Sequence, residues 1–136
     1  MSYAMAAALQ AAVFAHLDAD PALDALVGDA IYDAAPQGSV PELYVTLGPE
    51  DVRDRSDATG PGAMHDFVVS IVTDAAGFQL AKDAAAVVSD ALVDAPLTLS
   101  RGRLVGLRFL KARAQRLSNG GQRKIDLRFR ARVEDD

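Results

Sequence analysis

The chain has 136 residues, half of them hydrophobic, and a formal net charge of −5. That is enough apolar material for one domain with a real core, and too much for a disordered chain. With no cysteine, a disulfide scaffold, a thiol nucleophile and a cysteine zinc site are excluded.

The opening Met1-Ser2-Tyr3-Ala4-Met5 has no basic stretch before an apolar one, and no apolar run approaches the ~20 residues that cross a bilayer. The expectation is a soluble single domain, residues 1–136, made in a reducing compartment. Residues 4–18 read as a helix, because Met5, Leu9, Ala12, Val13 and Leu17 recur at helical spacing. Asp20-Pro21 then reads as an N-cap followed by proline at the first helical position, and Gly28 as the end of a short second helix. Ile31-Tyr32 is a short extended piece. Leu43, Val45 and Leu47 alternate with Tyr44 and Thr46, which is strand periodicity. Gly48-Pro49 closes that strand. Residues 49–65, with Arg53-Asp54-Arg55-Ser56-Asp57 and Gly60-Pro61-Gly62, read as a long mobile loop.

Residues 66–73 form a strand apolar on both faces, as in the covered centre of a sheet. Residues 76–94 form the longest helix, burying Leu80, Ala84, Val87, Val88, Ala91 and Leu92. Leu97 and Leu99 start a further strand, Arg101-Gly102 is a turn, and a long strand covers 104–117. Ser118-Asn119-Gly120-Gly121 signals a hairpin, since Asn-Gly accepts the positive φ of tight turns. In the last strand Ile125, Leu127, Phe129, Ala131 and Val133 lie on one face and Lys124, Asp126, Arg128, Arg130 and Arg132 on the other. The fold class is α+β: a mostly antiparallel sheet with a long helix and an N-terminal helix packed on it.

No catalytic constellation emerges. There is no Gly-x-Ser-x-Gly elbow, no phosphate-cradling lysine loop and no dinucleotide fingerprint. The two histidines lie far apart; His16 ends the first helix and reads as structural, and His65 lacks a second imidazole at ligand spacing. Glu50, Asp51, Asp54 and Asp57 lack the register of a calcium loop. No enzyme, cofactor or metal is expected.

Charge is segregated: residues 1–100 carry fifteen acidic and three basic residues, residues 101–136 four acidic and eleven basic. Arg128, Arg130 and Arg132 form a stripe with steps of about 6.6 Å along one strand face, which Arg108, Lys111, Arg113 and Arg116 on the partner strand extend. Like charges this close repel unless something answers them. Nucleic acid phosphate, carboxylates of the same chain, or carboxylates of a neighbouring subunit would each do so. The third answer makes a head-to-tail contact, which closes into a ring where the rotation permits.

The chain order and several short stretches resemble the tail terminator, or tail completion, proteins of long-tailed phages and of gene transfer agents. The resemblance spans nearly the whole chain. It rests on the first helix leading to Asp20-Pro21-Ala22-Leu23 and Leu26-Val27-Gly28, on Ile31-Tyr32-Asp33 with Pro36 and Pro41, and on the strand from Leu43 to Gly48. His65, the strand Phe67 to Val72, Gly77 and the closing Leu127-Arg128-Phe129-Arg130-Ala131-Arg132-Val133-Glu134 complete it. Relatives often carry an aromatic after the central strand, where this chain has Thr73-Asp74. The resemblance implies a virion component without catalysis. It would form a hexameric ring at the head-proximal end of the tail tube, stop tube polymerisation and join the head connector, with DNA passing through the bore without specific binding. Its partners are then its own copies, the tail tube protein and the connector, in a particle assembled in a bacterial cytoplasm. The expected interface residues are Arg53, Asp54, Arg55 and Asp57 of the loop and Arg128, Arg130 and Arg132 of the stripe. A different head–tail adaptor or a tube subunit, and a nucleic-acid-binding domain built on the stripe, are the other readings.

Overall fold

The computed structural model describes residues 3–35, 37–56, 60–117 and 121–135. Its first helix, α1, spans Ala6–Asp18 and buries Leu9, Val13 and Leu17 along the expected stripe. A second, α2 (Pro21–Val27), starts where the Asp20 carboxylate accepts a hydrogen bond from the Leu23 amide at 3.0 Å, with Pro21 inside the first turn. The helix α3 (Gln79–Leu92) is shorter at both ends than the 76–94 pattern and buries Ala81, Ala84, Ala85, Val88 and Leu92.

Five strands form one sheet: β1 (Ile31–Tyr32), β2 (Leu43–Asp54), β3 (Gly62–Thr73), β4 (Arg103–Arg116) and β5 (Arg123–Glu134), in the order β1-β2-β3-β5-β4. Three ladders are antiparallel and β1 pairs with β2 in parallel, so the sheet is mixed.

Two expectations are corrected. Most of the 49–65 stretch is strand, not loop: Glu50 pairs with Phe67, and the ladder runs on to Asp54 and Ala63. A bulge between Leu47 and Glu50 carries Gly48 and Pro49, which is where a sheet tolerates a proline. The connection narrows to 55–61, closed by the Arg55 amide on the Gly62 carbonyl at 2.8 Å. Leu97 and Leu99 alternate like a strand but join none. They pack on the core while the chain crosses from α3 to β4, tied by the Asp94 amide on the Leu107 carbonyl at 3.0 Å. The tip of the β4–β5 hairpin, 118–120, lies outside the described residues. The Leu117 amide reaches the Gln122 carbonyl at 2.8 Å below it.

The core lies between the helices and one face of the sheet. Leu9, Val13, Leu17, Ala84, Val88 and Leu92 meet Val45, Phe67, Val69, Ile71, Leu127 and Phe129 there. His16 fastens the two long helices: its Nε2 donates to the Ala91 carbonyl at 2.8 Å. The reverse face of the sheet carries a small cluster of Ala30, Tyr44 and Val72 at one end and charged side chains along the rest.

Candidate assembly surface

β5 alternates as its sequence dictates, with Ile125, Leu127, Phe129, Ala131 and Val133 buried and the residues between them half-buried. Arg128, Arg130 and Arg132 therefore share the face turned away from the helices. Across the central ladder they stand opposite Val68, Asp66 and Met64. On the other side Arg130 stands opposite Arg108, and Arg128 opposite Lys111.

The three arginines are answered differently. Arg130 is bidentate on Asp66, at 2.8 and 2.9 Å, the geometry that makes guanidinium–carboxylate pairs strong. Arg128 reaches the exposed Asp51 carboxylate only at 4.0 Å. Arg132 is half-buried on the same face. Part of the stripe is thus neutralised within the chain. Ser70 and Asp126 join across the same face by a 2.6 Å hydrogen bond, and Lys124 approaches Asp126 at 3.5 Å.

The hydrogen bonds from Arg130 hold the Asp66 carboxyl below the usual carboxylate range, helped by the positive charges of Arg130, Arg53 and Arg128 and opposed by burial. A depressed folded-state pKa stabilises the fold fully above the ordinary carboxylate pKa, near 4. The contribution fades as pH falls through the lower, folded-state value. Asp66→Asn should therefore cost about 1 kcal/mol at pH 7, and the difference from the parent should shrink toward zero in strong acid. Urea unfolding at pH 7 and below pH 3 reads both; a gap that persists in acid contradicts the pairing.

The other expected interface residues lie apart from the stripe's centre. Arg53 is on β2 opposite Met64, its guanidinium 3.6 Å from the Met64 sulfur. Asp54 ends β2 and accepts from the Ser56 hydroxyl at 2.8 Å. Arg55 is exposed in the 55–61 connection. Asp57 lies outside the described residues. The structure brings Arg53 beside Met64 and Arg132 in one row of the open face, while Asp54 and Arg55 project from the end of the β2–β3 arm.

His65 does not end a loop. It is a fully buried β3 residue whose Nδ1 lies 2.9 Å from the Glu50 carboxylate, which also accepts from the Tyr3 hydroxyl at 2.8 Å. Its Nε2 is buried without a partner among the described residues. No group of three His, Cys, Asp or Glu side chains suited to a metal ion occurs among the described residues.

Arg108, Lys111 and Arg113 extend the stripe, opposite Arg130, Arg128 and Asp126, whereas Arg116 stands opposite Arg123 on the face that carries Ile125; all four lie on β4. It is an edge strand, and these four make no ion pair among the described residues. The signal was available: residues 95–125 hold eight Lys and Arg and no acid, whereas residues 1–52 hold eight acids and no Lys or Arg.

A family model for the tail completion protein gp17 matches residues 11–134. The chain belongs to that tail completion family. Membership makes it a structural protein of phage-type virions, placed in the tail and neck region. It is also similar to a chain of a solved structure, the virion of a native gene transfer agent particle: 65% identity, 98% of this chain and 99% of that one covered, TM-score 0.92. No curated protein matches the chain.

Proposed function

We propose that this tail completion protein is the tail terminator of a gene transfer agent or a closely related phage tail. Six copies form a ring at the head-proximal end of the tail tube. The ring stops addition of further tube subunits, presents the surface that the head connector joins, and leaves a bore through which DNA passes. The single observation that carries this reading is the family match over residues 11–134, supported by the 65% identity to a chain of a native gene transfer agent particle. The β2–β3 arm, with Arg53, Asp54 and Arg55, supplies polar contacts to the tube or the connector. Connections that project from a rigid sheet are suited to such contacts.

Light scattering tests the ring. A hexamer of the 14.3 kDa chain has a mass of about 86 kDa, reached by the free protein or once tube ends are added. A chain that stays monomeric both alone and with tube ends contradicts the ring. A chain that polymerises without limit is a tube subunit instead.

A further inference from the structure

The two outer edges of the sheet carry opposite charge. On one side β4 is the last strand, and seven of the nine residues from Arg108 to Arg116 are exposed. Phe109 is 42% exposed there. Lys111, Arg113 and Arg116 stand on this edge with no ion pair among the described residues. The strand bears an internal cost as well: Lys111 stands opposite Arg128 and Arg116 opposite Arg123, like charges in direct cross-strand register. Basic residues on an edge strand discourage unwanted pairing, but they do not need to face other cations to do so.

On the far side the sheet ends in β1, only two residues long. Around it lie Asp24 on α2, Asp29 just before β1, and Glu42 just before β2, all exposed and without an ion pair among the described residues. Leu26 on α2 adds an exposed apolar residue.

The strand register puts these two edges at the same height. Tyr32 is level with Thr46, Ser70, Asp126 and Arg113 across the ladders. Leu43, next to Glu42, is level with Thr73, Arg123 and Arg116. A second copy placed beside the first, in the same orientation, brings its acidic edge against the basic half of β4. A two-fold contact would instead set cations on cations or acids on acids.

We propose that the β4 edge of one copy docks on the β1 edge of a second copy, with Lys111, Arg113 and Arg116 meeting Asp24, Asp29 and Glu42. Such a contact is heterologous, and repeated rotation closes it into a ring. It adds main-chain pairing at an open edge to charge complementarity that fixes the register. The proposal rests on the ring reading above and names its subunit contact.

Reciprocal charge reversal tests it. Lys111→Glu/Arg116→Glu turns the three β4 contact residues from +3 to −1, and Asp29→Lys/Glu42→Lys turns the three residues of the β1 edge from −3 to +1. Each variant alone should self-associate at least tenfold more weakly than the parent, and an equimolar mixture should regain the parent's affinity in sedimentation at low salt. The first variant sets Glu opposite Arg128 and Arg123, so its thermal midpoint should not fall. Loss of assembly is then not loss of fold. Variants that assemble as the parent does overturn the proposal. So does a mixture that stays monomeric where the parent assembles, or a parent with no self-association at the highest attainable concentration. Tail-tube capping separates this proposal from the one it rests on. A mixture that assembles without capping keeps the edge contact and removes the terminator role. Single variants that both cap keep the role and remove the contact.

Discussion

Replacing Phe129 by alanine should destabilise the protein by about 3–5 kcal/mol, a large part of what holds a domain of this size folded. Phe129 is fully buried in the middle of β5, stacked on Phe67 at 5.7 Å between ring centroids and edge-on to Phe109 at 5.9 Å. It joins the central strand to the edge strand under the helices, so its removal opens a cavity that three strands border. Part of the loss is the aromatic contacts themselves, worth about 0.5–1.5 kcal/mol per pair. Phe129→Leu keeps most of the volume and should cost far less. Urea unfolding monitored by circular dichroism measures both. A loss below about 1 kcal/mol for the alanine variant would mean that this face of β5 is not the core.

Gly102→Ala is the second large effect, by a different route. Gly102 turns the chain into β4 with φ +73°, a conformation that costs an L-residue about 1–2 kcal/mol. A Cβ there would stand 2.5 Å from the Glu134 carbonyl oxygen and 2.7 Å from the Met5 sulfur. The thioether can move, but the carbonyl belongs to the end of β5, beside the buried Met5, Ala63 and Val133. Strain and forced displacement together give an expected cost of about 2–4 kcal/mol. Gly121→Ala is the control. It has nearly the same φ, +76°, and open space around the added carbon, so only the conformational cost remains, about 1–2 kcal/mol. Equal thermal shifts for the two variants would contradict the close approach at Gly102.

The parts of this fold legible in the sequence are those with one wet face and one dry face. β5 alternates because the helices cover Ile125 to Val133 while the reverse face carries charge, and α1 shows its stripe for the same reason. The β2–β3 arm was hidden. Between Glu50 and Asp54 only Val52 is apolar, so the arm read as a loop although its backbone is paired throughout. Leu97 and Leu99 misled in the other direction: their alternation is that of a strand, but the chain there has no strand to pair with. The resemblance to the tail completion family rests on the chain order together with short stretches such as Leu127 to Glu134, and the family model shows membership over residues 11–134. At the surface, period-2 alternation placed the arginines on one face, but which carboxylate answers Arg130 depends on Asp66, 64 residues away. The like-charge pairs of β4 with β5 depend on bulges that periodicity does not reveal.

The most direct test of the terminator role is tube elongation in the presence of this protein. Purified tail-tube subunits are polymerised with increasing amounts of the chain, and tube lengths are measured by negative-stain electron microscopy. Tubes should shorten as the protein is added, and each finished tube should carry a ring at one end only. Tubes of unchanged length without end rings, or with the protein incorporated along their whole length, would contradict the terminator role.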